Sequence, residues 1–184
     1  NMRAWHAGRS YWKKFIDLNS LSLGIELDYS RNKDNNKFTD KMINSLLILL
    51  ENLKTKHNIK SHNILAHSDI APFRKFDPGP YFPWYKVYNI NESFHLLHKK
   101  KLKIKNFKIW FKKNNIHTSK DIALFILSFI GYDTVTVKKN KKLFKLLISA
   151  YQSHFFQSNY TGRIDKLTLN HLYKHLFNNL LTKN

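Results

Sequence analysis

The chain has 184 residues, 42% hydrophobic and 15% aromatic, a composition that excludes an intrinsically disordered protein and suffices for one or two small domains with a buried core. It has no cysteine, so disulfides and thiol chemistry are excluded, and any zinc site must be built from His, Asp or Glu. Because no run of about 18 apolar residues occurs, we expect no membrane span, and no signal peptide is visible.

Basic residues outnumber acidic ones, with 32 Lys and Arg against 12 Asp and Glu and a formal net charge of +20. Such a charge suits a polyanionic partner, such as nucleic acid, an anionic lipid surface or an acidic cell-wall polymer. Compositional drift toward Lys, Asn and Ile is the simpler explanation, because the lysines are spread along the chain. Nucleic acid is not the expected partner, since most of the charge is lysine and not arginine interleaved with aromatics.

The first part of the chain alternates extended and helical patterns. Residues 19–27 end in alternating apolar positions and predict a strand, and the polar residues 28–37 predict a loop. Thr39 can cap a helix that should end near His57. The apolar residues that recur at helical spacing in that helix are Ile43, Leu46, Leu47, Leu50 and Leu53.

The next segment contains all four prolines of the chain. Residues 61–67 predict a short strand that ends on His67. Residues 72–83 hold the prolines, which exclude regular structure there because proline interrupts both helical and strand hydrogen bonding. The charged residues 91–105 predict a linker.

Three helices are predicted after the linker. The first is capped by Thr118 and runs to Ile130, with Gly131 as its C-terminal stop. The second spans residues 141–156, and the third begins near Asp165 or Thr168 and ends near residue 180. Residues 106–184 are therefore predicted to form a small helical bundle.

The residues best suited to chemistry are His67, Lys75 and Asp77, in or next to the proline-rich segment, and Glu26 on the predicted strand of residues 19–27. Imidazole and carboxylate are zinc ligands, so His67 and Asp77 can contribute two of the three that a catalytic site needs. Lys75 can stabilise an oxyanion, and Glu26 can act as a general base beside metal-bound water. By spacing alone, structural or surface roles for all four residues are the more common interpretation.

Three blocks, in order, resemble the zinc-dependent N-acetylmuramoyl-L-alanine amidases of the type-2 amidase family, and within it the AmiD-like branch. The first is Arg3-Ala-Trp-His-Ala-Gly8 with Ser10 and Trp12, and the second is Asn19-Ser-Leu-Ser-Leu-Gly-Ile-Glu26. The third and most specific is His67-Ser-Asp-Ile-Ala-Pro-Phe-Arg-Lys-Phe-Asp-Pro-Gly-Pro80 with Phe82-Pro-Trp84. More loosely, residues 151–169 resemble helical peptidoglycan-binding domains, for which a generic three-helix bundle is the alternative.

The resemblance implies a role for each matching residue. His67 and Asp77 are implied as ligands of Zn²⁺, Glu26 as the residue that orients and deprotonates water, and Lys75 as the group that stabilises the tetrahedral intermediate. The residues implied to line or support the substrate groove are Trp5, His6 and Trp12. The reaction implied is hydrolysis of the amide between N-acetylmuramic acid and L-alanine of the stem peptide.

The expected fold is α/β, with an incomplete mixed-sheet amidase domain over residues 1–90, the linker 91–105, and an all-α, three-helix peptidoglycan-binding-like domain over residues 106–184. The expected partner is peptidoglycan or its muropeptides, in the bacterial cell envelope.

The family's first zinc-ligand histidine, on a strand before the first block, has no counterpart here, so we expect activity to be impaired. A fragment or split reading frame and a degenerate, non-catalytic wall-binding remnant are both open explanations. A basic nucleic-acid binder is the remaining alternative.

Overall fold

The computed structural model describes residues 3–29, 37–88, 104–137 and 140–181, and the regular structure in those ranges is helical. The α-helices, in chain order, are α1 (Leu18–Leu21), α2 (Asp40–His57), α3 (His67–Ile70), α4 (Trp84–Val87), α5 (Ile104–Lys113), α6 (Ser119–Ile130), α7 (Lys141–Phe155) and α8 (Lys166–Leu181). Short 3₁₀ turns occupy Ser61–Asn63 and Gln157–Asn159. None of these helices is long and apolar enough to cross a bilayer.

The predicted α/β fold with a mixed sheet is wrong for the described residues, which form no strand. Residues 19–27 begin inside α1 and continue as irregular chain, with Leu23 53% exposed. Residues 61–67 begin in a 3₁₀ turn and end on the first residue of α3. Alternation predicts an extended backbone, but a strand exists only where a neighbouring strand pairs its N–H and C=O groups. In the described ranges such pairing is limited to one isolated bridge, between Trp12 and Phe15.

Helix α2 confirms its prediction at both ends. The Thr39 side chain accepts a hydrogen bond from the Met42 N–H (3.2 Å), and the helix stops at Asn58, whose φ of 51° is left-handed. Its inward face belongs to a small hydrophobic cluster that also contains residues of the proline-rich segment. The buried members of that cluster are Ile43, Leu46, Ala66, Phe82 and Trp84.

The predicted C-terminal helices are confirmed as α6, α7 and α8. Thr118 caps α6 by accepting from the Asp121 N–H (3.1 Å), and Gly131, at φ 142°, ends it. Helix α5 was not predicted, so the described part of this region has four helices instead of three, and α5 includes the last two residues of the predicted linker. The rest of that linker, up to residue 103, lies outside the described residues.

The main hydrophobic core contains residues from both predicted domains. Ala7, Trp12 and Leu18 belong to the same buried cluster as the inward faces of α6, α7 and α8. The Trp12 ring meets Tyr132 edge-on, with ring centroids 5.0 Å apart. The first part of the chain is therefore packed directly on the C-terminal helices, and the division into domains at residues 90 and 106 stays a prediction.

Candidate active site

His67 and Asp77, the two predicted metal ligands, lie side by side. The Nδ1 atom of His67, the first residue of α3, is 2.9 Å from the Oδ2 atom of Asp77. The Ser68 N–H donates to the Asp77 carbonyl (3.0 Å), so side-chain and backbone contacts close the proline-containing loop between them. The His67 side chain is 21% exposed and that of Asp77 54%, so the pair faces solvent.

The other ring nitrogen of His67 meets a backbone carbonyl from the first block. Its Nε2 atom is 3.3 Å from the Ala7 oxygen. Arg74 fixes this carbonyl, because its Nη2 atom donates to the oxygens of Ala7 and Arg9, both at 2.8 Å. A histidine that ligates a metal commonly donates its second N–H to such a carbonyl, which sets the tautomer and the ring orientation.

The pair fits zinc as two members of a ligand set. Both neighbours of the His67 ring, the Asp77 carboxylate and the Ala7 carbonyl, are acceptors, so the ring satisfies both only if it is doubly protonated or if a cation replaces the Nδ1 proton. Two donors on a tetrahedral zinc lie roughly 3.3 Å apart, close to the separation here. Within the described ranges, no group of three His, Asp or Glu side chains could hold a metal, so neither Glu26 nor His6 completes the set.

Asn19 organises the turn of the first block. Its Oδ1 atom accepts from the N–H groups of His6 (3.0 Å), Ala7 (2.8 Å) and Gly8 (3.3 Å). Sequence reasoning gave Asn19 no role beyond its place in the second block. By ordering three successive amides, it sets the direction of the Ala7 carbonyl that faces His67.

The second block lies against the first at His6. The Nε2 atom of His6 is 2.9 Å from the Ser22 hydroxyl, and a Cβ built on Gly24 would come within 2.6 Å of the His6 side chain. Only glycine allows this approach without displacing His6. Glu26 follows two residues later and is exposed. Lys75 is half-buried in the loop between His67 and Asp77.

The two tryptophans predicted at the groove differ in exposure. Trp5 is 78% exposed, with the Arg3 guanidinium 4.7 Å from its ring centroid. Trp12 is 5% exposed and lies in the main core. Trp5 is therefore available to a ligand, whereas Trp12 supports the packing beneath the first block.

Asp69 is the buried residue whose role the sequence reasoning missed. Its Oδ2 atom accepts from the Ala66 N–H (2.7 Å) and is 2.5 Å from His154 Nδ1, and the Tyr132 hydroxyl donates to Oδ1. Burial, together with the Asp69 charge, raises the pKa of Tyr132 well above its usual value, so the hydroxyl stays protonated and donates. The signal in the sequence was its place in the third block.

Comparison with known protein families gives a match to the first part of the chain. Residues 1–80 match the family Amidase_2, described as N-acetylmuramoyl-L-alanine amidase. This segment, less than half of the chain, is therefore similar to that family of amidases.

The similar curated proteins are named for the same activity. N-acetylmuramoyl-L-alanine amidase AmiD of Escherichia coli K12 is 32% identical over 179 residues, which cover 90% of this chain and 60% of that protein. The 1,6-anhydro-N-acetylmuramyl-L-alanine amidase AmpD of Enterobacter cloacae is 42% identical over 82 residues, or 45% of this chain and 42% of that protein. The chain thus spans less than two thirds of the length of these relatives.

Two solved structures superpose on nearly the whole chain. AmiD from E. coli, in complex with the substrate anhydro-N-acetylmuramic acid-L-Ala-D-gamma-Glu-L-Lys, gives a TM-score of 0.68 at 29% identity and covers 98% of this chain and 68% of that one. AmpDh3 from Pseudomonas aeruginosa gives 0.69 at 27% identity, covering 94% and 68%. The likeness therefore extends through the C-terminal helices.

Proposed function

We propose that this protein hydrolyses the amide bond between N-acetylmuramic acid and L-alanine of peptidoglycan stem peptides. The observation on which this depends is the His67–Asp77 pair, an imidazole and a carboxylate 2.9 Å apart on the most specific block of an amidase-family segment. The names of AmiD and AmpD state this class of activity, and AmiD and AmpDh3 have been solved with anhydromuramyl peptides. The substrate class proposed here is therefore a muropeptide.

Zinc is the proposed cofactor, with His67 and Asp77 as two of its ligands. Bound zinc would polarise the scissile carbonyl and acidify water. The protein's part is to present the Nδ1 lone pair of His67, which follows if Nε2–H donates to the Ala7 carbonyl. Arg74 keeps that carbonyl in place, so an acceptor for Nε2–H is present with or without the metal.

Glu26 and Lys75 are the proposed acid–base and charge-stabilising groups. Glu26 would take the proton from the attacking water and return it to the nitrogen of L-alanine as the amide bond breaks. The Lys75 ammonium would stabilise the negative oxygen that forms on the attacked carbonyl. Trp5, which is 78% exposed, would contact the muropeptide.

Hydrolysis of an anhydromuramyl tripeptide, followed by chromatography in the presence of Zn²⁺, tests the proposal. His67→Ala should lower the rate by about 100-fold or more, because it removes a ligand and not merely an outer contact. His57→Ala, a matched change at an exposed histidine at the end of α2, should leave the rate unchanged. An unchanged rate in His67→Ala would show that the site is elsewhere.

A second candidate is peptidoglycan binding without hydrolysis, and one observation favours it: the described residues supply two metal-ligating side chains and not three. This alternative predicts that the protein sediments with purified cell walls equally with and without Zn²⁺, and that His67→Ala changes nothing. Release of free stem peptide would exclude it. For both candidates, the proposed place of action is the cell envelope.

A further inference from the structure

The C-terminal helices contact the loop of His67 and Asp77 at both of its ends. At the His67 end, the contact is made by Asp69. Its carboxylate accepts a hydrogen bond from the N–H of Ala66, the residue just before α3. The same carboxylate bonds His154 of α7 and the hydroxyl of Tyr132. The side chains of Asp69 and His154 are both 0% exposed. The start of α3, and with it His67, is thus tied to the C-terminal helices through a buried charged group.

The same histidine is held from several sides. The Tyr88 hydroxyl contacts His154 Nε2, and the rings of Trp84 and Phe155 stack on the imidazole at centroid distances of 3.7 and 3.8 Å. A displaced α7 would take His154 away from the buried Asp69 carboxylate, which is unfavourable because a buried acceptor loses a hydrogen bond. The network therefore has one well-defined geometry.

At the Asp77 end, the contact is Gln157, in the 3₁₀ turn after α7. Its Nε2 atom donates to the carbonyls of Pro80 and Phe82, both at 2.7 Å. These carbonyls lie three and five residues beyond Asp77. Between the two contacts, the Ser68 N–H bonds the Asp77 carbonyl, and this bond reports whether the two ligands are held together.

We propose that Asp69, His154, Tyr132 and Gln157 are positioning residues, through which the C-terminal helices hold His67 and Asp77 at metal-binding separation. The role toward zinc rests on the proposed function, whereas the role in holding the loop does not. The C-terminal segment is then part of the scaffold of the site, in addition to any contact that it makes with the cell wall.

Amide hydrogen exchange at Ser68 in the full chain tests this inference, with Zn²⁺ affinity as a second readout. Tyr132→Phe removes one hydroxyl from the network, and Gln157→Met removes both amide donors while keeping a side chain of similar length. Tyr151→Phe is the matched control, because Tyr151 is also fully buried but its hydroxyl bonds His171 (2.8 Å) in α8. Urea unfolding of each variant gives its global stability, so that faster Ser68 exchange caused by a looser loop can be told apart from exchange caused by global unfolding.

Each of the two test variants should speed Ser68 exchange about fivefold, the effect of one lost hydrogen bond, and the double variant about 25-fold, because they act at opposite ends. Zn²⁺ affinity should fall about tenfold in each. Tyr151→Phe should change neither beyond twofold.

Ser68 exchange that is unchanged in the test variants, or that simply follows global stability in all of them, would overturn the inference. If the wild-type chain binds no Zn²⁺, the zinc assignment falls while the Ser68 comparison still decides whether the helices hold the loop.

Discussion

Asn19 shows how one small side chain can set the geometry of a site to which it does not belong. Its amide oxygen satisfies three consecutive backbone N–H groups, and its Nδ2 atom returns a hydrogen bond to the Gly8 carbonyl (3.4 Å). The turn that it stabilises presents the Ala7 carbonyl to His67. Asn19 thus helps to hold the carbonyl of Ala7, 12 positions away in sequence, against the Nε2 atom of His67.

Replacing Asn19 by alanine should destabilise the protein by about 2–4 kcal/mol, because Asn19 is 7% exposed and the change leaves part-buried amides without an acceptor. Asn19→Asp, which keeps the acceptor, should cost less. Urea denaturation measures both. Asn44→Ala, at an exposed position of α2, is the control and should shift stability by less than about 0.5 kcal/mol. A loss in Asn19→Ala no larger than in that control would contradict the role assigned to Asn19.

At the scale of single residues, the sequence predicted the two candidate ligands better than the residues that hold their loop in place. His67 and Asp77 are ten residues apart in a specific block, so their proximity could be expected. Asp69 lies in the same block, but its partner His154 is 85 positions away, and nothing local in the sequence indicates that pairing. Gln157 and the carbonyl of Pro80 are 77 positions apart for the same reason.

Elements were predictable where their determinants are local. The caps Thr39 and Thr118 and the stop at Gly131 act within three residues of a helix end, and α2 and α6 have the predicted bounds. A strand depends instead on a partner elsewhere in the chain, which an alternating pattern does not specify. Helix α5 was missed because it is rich in lysine and follows a charged segment, so the helical spacing of its apolar residues was not recognised.

Two buried histidines of helix α8 should make the stability of the fold depend on pH. Burial lowers the pKa of His171 to about 4, with Lys174 adding to the effect, and burial lowers the pKa of His175 well below its usual value. In the unfolded chain both rings titrate near 6.5. Between about pH 6.5 and pH 4, the unfolded chain therefore binds protons that the folded chain does not, so the free energy of unfolding falls as the pH is lowered.

His171→Gln should weaken this pH dependence. Urea unfolding at pH 7 and pH 4.5 should show that the variant loses about 2–3 kcal/mol less than the wild type, with His175 accounting for part of the remaining loss. His57→Ala removes an exposed imidazole and should leave the difference between the two pH values unchanged. Equal losses in His171→Gln and wild type would show that His171 is not buried neutral in the fold.

At the scale of the whole molecule, the segment that matches the Amidase_2 family and the C-terminal helices share one core. Ala7, Trp12 and Leu18 are buried among residues of α6, α7 and α8, and the Lys13 N–H donates to the Gly131 carbonyl (2.8 Å). The buried Asp69–His154 pair crosses the same junction. Separating the two parts would expose apolar surface on both and break the hydrogen bonds of the Asp69 carboxylate to His154 and Tyr132.

The described chain should therefore unfold in a single transition. Far-UV circular dichroism, which follows the helices, and tryptophan fluorescence, to which Trp12 and Trp84 at the junction contribute, should give coincident urea curves. A chain ending at residue 88 should show no cooperative transition, because it retains Trp12 and Asp69 without the groups that bury them. Two resolved transitions in the full chain, or cooperative folding of residues 1–88 alone, would mean that the packing at this junction contributes little to stability, and the C-terminal helices would then be a separate unit.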